Sequence, residues 1–474
     1  MNSKTRFAAV LGILLFFVAI FLALHYSSSG GGLNRFKSEL RAKGEKLTFA
    51  ELAIPLSTNA DEVACRELFA TNNMIGDVNV PTLMRFAQPG MADVTWRGPM
   101  LLFSPSAGRT NSAAGTWEEL DSQNAALAPA LAEFRHALEH PAPDIGWIYT
   151  NPTNGPVFNF NRVRHVTQAL VSDEIGALHR GDFDGARSDL HALAMLSCLY
   201  RNDPTLGRAM VRASIADLGL QATWEALPAP GWDDKALSAL QNDWERVDLL
   251  GALERGLMGQ RATGLAIAQK VRKSDAREFQ NILSGGLQSA TYGSRRFVRR
   301  LQDDLERIAY KLTWIDADEL FMLQSENQGV ETARMLKNGR PWPEVNAAVT
   351  NLHFMLDHEL GSKHGRRMLM SALTIPNFLR VFEMTARTET MRRLAITAIA
   401  IQRYRLRNGK PPENLAALLP EFLSEVPIDP MSGKPLCYHA NAAGNFVLYS
   451  VGEDGKDDGG SAGADILWPA VSTN

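Results

Sequence analysis

A run of eighteen residues without a charged or strongly polar side chain, from Phe7 to Leu24, constrains this chain more than any other feature. As an α-helix it would be about 27 Å long, close to the thickness of the hydrocarbon core of a bilayer. A cleaved signal peptide is the competing interpretation, but its apolar region is usually shorter, and the residues around Tyr26 make a poor cleavage site. We therefore predict a tail at 1–6, an uncleaved transmembrane helix at 7–25 and a flexible linker at 26–32.

The charges that flank this run bear on its orientation. Lys4 and Arg6 precede it, and four basic residues between Arg35 and Lys43 follow it, so that a simple count does not decide. The charges nearest to the run lie on its N-terminal side, which favours a cytoplasmic N-terminus. We expect a single-pass membrane protein with most of its mass outside the cytoplasm.

The body of the chain has the periodicity of α-helices. Between residues 184 and 200, for example, Ala186, Leu190, Leu193 and Leu196 recur at intervals of three or four, as on one face of a helix. No such pattern repeats at a fixed period, so a regular solenoid is not expected. We predict an irregular α-helical domain over 33–390, with a Pro-rich and Gly-rich division near 141–160.

Composition excludes some classes of function. The net charge of -3 argues against a general nucleic-acid binder, and we expect no nucleic-acid partner. The three cysteines, Cys65, Cys198 and Cys437, form neither a disulfide framework nor a pair at metal-ligand spacing. The chain also lacks a nucleophile elbow, a phosphate-binding glycine loop and a dinucleotide fingerprint.

The densest set of titratable groups in the helical body is His353, Asp357 and His358, with Glu359 beside them. His353 and Asp357 are four residues apart and could form a hydrogen bond on one helix face. These residues are weak candidates for acid–base catalysis. A polar helix end before Gly361 explains the same residues without a catalytic role.

The composition changes after about residue 390. A helix over Met391–Leu406, ended by Gly409, is expected to precede a short helix over Glu413–Leu423. Leu436–His439 and Phe446–Ser450 alternate as two strands of a hairpin. We expect residues 391–474 to form a small α+β domain.

An acidic, glycine-rich loop follows the second strand, over residues 450–466. Carboxylates so close together repel one another unless solvent or a cation neutralises them, and glycines allow the backbone to wrap. Hard oxygen ligands on a flexible loop suit Ca²⁺, although an exposed acidic loop without a ligand explains the same composition. The loop contains five carboxylates interleaved with glycines, Glu453, Asp454, Asp457, Asp458 and Asp465.

The order and spacing of these elements carry a resemblance. Tyr404-Arg-Leu-Arg-Asn-Gly-Lys-Pro-Pro412, Asp429-Pro-Met-Ser-Gly-Lys-Pro-Leu436 and Leu448-Tyr-Ser-Val-Gly-Glu-Asp-Gly455 together resemble the C-terminal domain of the major pseudopilin of type II secretion systems. The resemblance spans about 391–468 and implies a calcium-binding loop. It implies Asp454 and Asp465 as the best side-chain ligands, Asp457 or Asp458 as a further ligand, and the carbonyl of Val451.

The chain also departs from that family. In a pseudopilin the membrane helix follows a peptidase-cleaved leader and runs directly into the domain helix. Residues 4–7 form no such junction, and the whole helical body separates the apolar run from the C-terminal domain. Assembly into a fibre is therefore not implied.

Taken together, the sequence predicts a mainly α protein of the bacterial cytoplasmic membrane. We expect an extracytoplasmic binding or scaffold protein with a structural calcium loop, an envelope protein as a partner and a link to type II secretion-like machinery. The alternative is an envelope hydrolase that uses His353, Asp357 and His358.

Overall fold

The structure is a computed structural model. It describes residues 30–52, 59–71, 75, 95–96, 113–139, 160–287, 304–361, 367–375, 377–440, 446–461 and 463–468. The apolar run 7–24 lies outside these ranges, so the predicted transmembrane helix stays a prediction. Among the helices within these ranges, none is both long enough and apolar enough to cross a membrane.

Fifteen helical segments dominate the described part of the chain. They are α1 (30–42), α2 (Phe49–Leu52), α3 (Ala60–Thr71), α4 (Trp117–Ala137), α5 (Phe160–Arg180), α6 (Phe183–Ser197), α7 (Leu206–Ala226), α8 (Asp234–Glu245), α9 (Leu249–Lys273), α10 (Ala276–Leu287), α11 (Asp304–Ala309), α12 (Ile315–Lys337), α13 (Trp342–Gly361), α14 (Leu369–Thr374) and α15 (Phe378–Asn408). A π-helical turn, Tyr310–Trp314, joins α11 to α12, and a 3₁₀ turn, Leu415–Leu418, follows α15.

The described strands form two small antiparallel sheets. β1 (Thr95–Trp96) pairs with β2 (Ala113–Ala114). The C-terminal sheet has the order β3 (Cys437–Ala440), β4 (Phe446–Ser450) and β5 (Ile466–Trp468). The prediction of a mainly helical chain with a small C-terminal sheet is confirmed, and the two predicted strands pair as a hairpin.

The helix ends follow local capping chemistry. Thr116 and Glu119 form a reciprocal capping box at the start of α4, with hydrogen bonds of 3.1 and 3.0 Å. Asp182, Asp233 and Asp248 each accept a hydrogen bond from a backbone N–H in the first turn of α6, α8 and α9. The left-handed Gly409, with φ of 72°, ends α15 as its place in the sequence predicts.

Glycines allow the central helices to approach closely. α9 lies along α12, where a Cβ on Gly264 would come within 2.8 Å of the Met322 sulfur. Elsewhere on α9, a Cβ on Gly259 would lie 1.5 Å from the carbonyl oxygen of Pro204. Substitution of Gly259 would therefore require the helix to move.

One hydrophobic core runs from the helical body into the C-terminal sheet. α15 packs on α7, α8, α9 and α13 as well as on β4 and β5, and it is continuous across residue 390, where the sequence predicts a domain boundary. The amide of Trp342 donates to the carbonyl of Pro430 at 2.9 Å, and Gln241 Nε2 donates to the carbonyl of Phe422 at 2.8 Å. The C-terminal region is thus integrated with the helical body.

The end of the predicted linker is helical. Residues 30–32 lie in α1, although glycine is a poor helix former. A Cβ on Gly30 would lie 3.1 Å from a carboxylate oxygen of Asp316, and one on Gly32 would lie 3.4 Å from Leu320. Packing of α1 against α12 therefore outweighs the intrinsic preference of these glycines.

A group of carboxylates is buried between α5, α6 and α7. Glu174 is inaccessible to solvent, and neither of its carboxylate oxygens has a hydrogen-bond partner within the described residues. Burial raises the pKa of Glu174 well above its usual value, and the charges of Glu225, Asp189 and Asp173 act in the same direction. Asp189 has a partner, since Arg135 Nε donates to it at 2.7 Å.

Candidate functional site

The acidic loop connects β4 to β5 at the edge of the C-terminal sheet. The strand register, with Cys437 opposite Tyr449 and Tyr449 opposite Leu467, fixes the two ends of the loop next to each other. Val451, at the entry of the loop, and Asp465, at its exit, are both buried. The loop is therefore anchored at both ends in the folded core.

Glycines in the left-handed region determine the path of this loop. Five of them, Gly452, Gly455, Gly459, Gly460 and Gly463, have φ angles between +70° and +102°. At Gly452 a close approach adds to this requirement, because a Cβ there would lie 2.0 Å from the carbonyl oxygen of Ala464. The sequence predicts that glycines let this loop wrap. The structure shows two reasons for glycine, the positive φ angles and the close approach of the backbone at Gly452.

Asp465 holds the loop closed. Its Oδ2 accepts hydrogen bonds from the backbone N–H groups of Gly460, at 2.8 Å, and Ser461, at 2.9 Å. Its Oδ1 has one long contact, 3.5 Å from the amide nitrogen of Asp458. Oδ1 therefore has acceptor capacity for a cation that reaches the loop.

Asp457 is directed at the sheet. Its Oδ1 accepts hydrogen bonds from the amide of Gly459, at 3.0 Å, and the hydroxyl of Tyr449, at 2.9 Å, while Oδ2 lies 3.8 Å from the Cys437 sulfur. These donors, the Gly459 amide first, lower the pKa of Asp457 from its usual value. His439 is near the same group, with its Nε2 at 3.4 Å from the Tyr449 hydroxyl.

The other two predicted ligands are exposed. Asp454 Oδ1 accepts a hydrogen bond from the amide of Lys456 at 3.1 Å, which makes a local turn. Asp458 contributes its amide nitrogen to the contact with Asp465 described above. Within the described ranges, no three His, Cys, Asp or Glu side chains come together as metal ligands.

The acidic loop nevertheless contains oxygen groups of the kind that bind a hard cation. Carboxylate and carbonyl oxygens are the ligands that Ca²⁺ takes, and they are what this loop offers. Asp465, Asp454 and backbone carbonyls such as that of Val451 are the groups of the loop that a calcium ion would draw on. Asp457, which is bound to the sheet, is the predicted ligand that fits least well.

Asp429 is a buried carboxylate that does not belong to the predicted set of metal ligands. Its carboxylate accepts hydrogen bonds from the Met431 amide at 2.9 Å, the Ser432 hydroxyl at 3.0 Å and the Ser450 hydroxyl at 2.7 Å. The amide of Val451 adds a longer bond of 3.3 Å. Asp429 thus fixes the entry of the acidic loop, and the signal for it is an Asp in the segment Pro427-Ile-Asp-Pro430.

The histidine cluster lies on the outside of α13. His353 Nε2 is 3.4 Å from Asp357 Oδ2, and the two side chains are 32% and 54% exposed. His358 is 71% exposed and lies 3.5 Å from Glu359. Two candidates therefore come together as predicted, and the third, His358, pairs with Glu359 on the solvated side of α13.

Comparison with known proteins adds no relative. No family model, no curated protein and no solved structure matches this chain.

Proposed function

We propose that this chain is a membrane-anchored, extracytoplasmic binding or scaffold protein of the bacterial envelope, stabilised by a calcium ion in the loop 451–465. The apolar run at 7–24 supplies the proposed anchor. A weak calcium site fills only where calcium is near millimolar, which is the case outside the cytoplasm. The location and the calcium site are therefore consistent with each other.

The observation that carries this proposal is the burial and hydrogen bonding of the Asp465 carboxylate. It is 7% exposed, it holds two backbone N–H groups of the loop through one oxygen, and it leaves the other oxygen with a single long contact. A buried carboxylate with spare acceptor capacity, inside a loop of oxygen donors, favours a cation at that point.

The loop also contacts the helical body, so that an ion in the loop would stabilise more than the hairpin. Glu453 lies 3.6 Å from Arg387 of α15. A Cβ on Gly455 would lie 2.9 Å from Pro343 at the start of α13. We infer that calcium sets the conformation of a surface that includes the loop and the N-terminal end of α13, and that an envelope protein binds there, with secretion machinery of the type II kind as the expected setting.

Thermal melting of the full-length chain in detergent tests the calcium site. Calcium at about ten times its Kd should stabilise the fold by about 1.4 kcal/mol and raise the Tm. Asp465→Asn should abolish this increase, because it removes the charge at the centre of the loop. Asp357→Asn makes the same chemical change on exposed α13 and should leave the increase intact, and it also removes the carboxylate of the hydrolase alternative.

Two results would count against the proposal. One is a Tm that does not respond to millimolar calcium, and the other is an equal response in Asp465→Asn. The binding role has its own test: cross-linking in membranes should capture one envelope protein with the unaltered chain and with Asp357→Asn in calcium, and should lose it with Asp465→Asn. Capture that is independent of both calcium and Asp465 would show that partner binding does not require the acidic loop.

A further inference from the structure

Arg212 and Arg255 both contact Asp248, the residue that caps α9, and the charge of Arg201 also acts on Arg212. Arg201 follows α6, Arg212 lies on α7 and Arg255 lies in the second turn of α9. Burial lowers the pKa of Arg212 to about 10, and the charges of Arg255 and Arg201 act in the same direction. This group, the arginine cluster, lies far along the chain from the acidic loop.

Arg212 is buried with a donor that no described residue accepts. It is 1% exposed; its Nε donates to the carbonyl of Ser197 at 2.9 Å and its Nη2 donates to the carbonyl of Asp248 at 3.2 Å. Its Nη1 is shielded from solvent and has no hydrogen-bond partner within the described residues. Buried polar groups are nearly always hydrogen-bonded, so an unused donor on a buried guanidinium indicates a missing acceptor.

Arg255 has a second unused donor. Its Nη2 lies 3.0 Å from Asp248 Oδ2, while its Nε is buried without an acceptor within the described residues. The side chain as a whole is 29% exposed, and Arg201 is half-buried. The cluster therefore has Arg212 at its base and two arginines that reach solvent at its rim.

The carboxylates nearby are already engaged. Asp248 uses one oxygen for the Arg255 contact and the other, at 2.7 Å, to cap the amide of Gly251. Asp243 accepts from His191 Nδ1 at 2.7 Å. Arg392, whose charge also interacts with Asp248, has its own partner in Glu389, with bonds of 2.8 and 2.9 Å.

We propose that the arginine cluster is a binding site for a phosphate group. Arg255 contacts the carboxylate of Asp248 and Arg212 contacts its backbone carbonyl, so two guanidinium groups meet a single carboxylate. This positive excess suits a phosphate dianion. Guanidinium groups offer planar pairs of N–H donors that match phosphate oxygens. A bound phosphate would accept hydrogen bonds from Arg212 Nη1 and Arg255 Nε and would neutralise the cluster. The site is independent of the calcium proposal.

Isothermal titration calorimetry of inorganic phosphate into the full-length chain, at constant ionic strength, tests this site. Saturable 1:1 binding is expected. Arg255→Gln should weaken it at least tenfold, about 1.4 kcal/mol, and Arg212→Lys, which keeps the charge but loses the planar donors, should weaken it similarly. Arg35→Gln, at a side chain that is 83% exposed on α1, is the matched control and should bind as the unaltered chain does.

Two further titrations distinguish a soluble phosphate ligand from a lipid headgroup. Glycerol 3-phosphate represents a soluble ligand, and vesicles that contain phosphatidic acid represent a lipid headgroup; saturation by either with loss in Arg255→Gln supports the site. Circular dichroism checks that each variant is folded, and Arg201→Gln replaces any variant that is not. The absence of saturable phosphate binding, or equal affinity in Arg255→Gln and Arg35→Gln, would overturn the proposal.

Discussion

Replacement of Glu174 by glutamine should stabilise this protein at neutral pH, and the gain should grow as the pH rises. The side chain is fully buried, its oxygens have no hydrogen-bond partners within the described residues, and three carboxylates act on it. The folded state therefore keeps the proton that an unfolded chain loses near pH 4.5, the usual value for this side chain. Glutamine is neutral at every pH and has nearly the same shape.

The sign and size of the effect follow from proton linkage. Because the pKa of Glu174 is raised in the folded state, its contribution to stability is fully present below the unfolded pKa and is lost as the pH rises toward the folded pKa. While the folded carboxyl keeps its proton, each pH unit above the unfolded pKa lowers the free energy of unfolding by about 1.4 kcal/mol. The advantage of Glu174→Gln should therefore increase from pH 5 to pH 7 for as long as the folded carboxyl keeps its proton.

Urea denaturation of the full-length chain at pH 5, 6 and 7, followed by tryptophan fluorescence, measures this difference. Glu413→Gln is the control, because that side chain is 86% exposed and lies 3.9 Å from Lys410. It should change stability little at any of the three pH values. Parallel pH profiles for Glu174→Gln and the unaltered chain would show that Glu174 is ionised or solvated in the folded state, and the reasoning would fail.

Two further predictions concern the C-terminal domain, and urea denaturation measures both. Gly452→Ala should lower the free energy of unfolding by more than about 2 kcal/mol, because its Cβ would lie 2.0 Å from the carbonyl oxygen of Ala464. Gly459 has a similar φ of 71° but open space around it, so Gly459→Ala should lower the free energy of unfolding by only about 1 kcal/mol. Equal losses would mean that the contact is unimportant. Asp429→Ala should lower the free energy of unfolding by about 2–4 kcal/mol, because it leaves buried hydrogen-bond donors without an acceptor. Asp429→Asn keeps one oxygen and should lower it less. A larger loss in Asp429→Asn than in Asp429→Ala would contradict the hydrogen bonds assigned to Asp429.

The C-terminal end of α15 could be predicted from sequence because a capping residue marks it. Gly409 ends α15 as expected. The other end was predicted less well, since the sequence predicts a helix from Met391 whereas α15 begins at Phe378. The first turns of α15 are buried against the helical body, and this packing extends the helix.

Two short elements near the C-terminus were also not predicted correctly. β5 has three residues, too few for an alternation pattern, and it forms because β4 offers a partner edge. The predicted helix over Glu413–Leu423 is a 3₁₀ turn over Leu415–Leu418, which Pro420 limits at its C-terminal side. Short segments such as these are decided by tertiary contacts.

The acidic loop and the buried clusters also differ in how far the sequence predicts them. The acidic loop could be found from sequence because its glycines and carboxylates are neighbours in the chain, although the direction of Asp457 toward Tyr449 could not. The contact between Arg212 and Asp248 joins residues 36 positions apart, and the Glu174 environment joins three helices. Such groups meet only when the helices pack, and no local pattern predicts them.

Direct calcium binding tests the central claim most simply. Isothermal titration calorimetry of calcium into the chelator-stripped full-length chain should show one site with a Kd between about 0.1 and 1 mM, the range of extracellular calcium modules. Asp465→Asn should show no such site, and Asp357→Asn should bind as the unaltered chain does. A chain that takes up no calcium at several millimolar, or an Asp465→Asn variant that binds with the same affinity, would contradict the account.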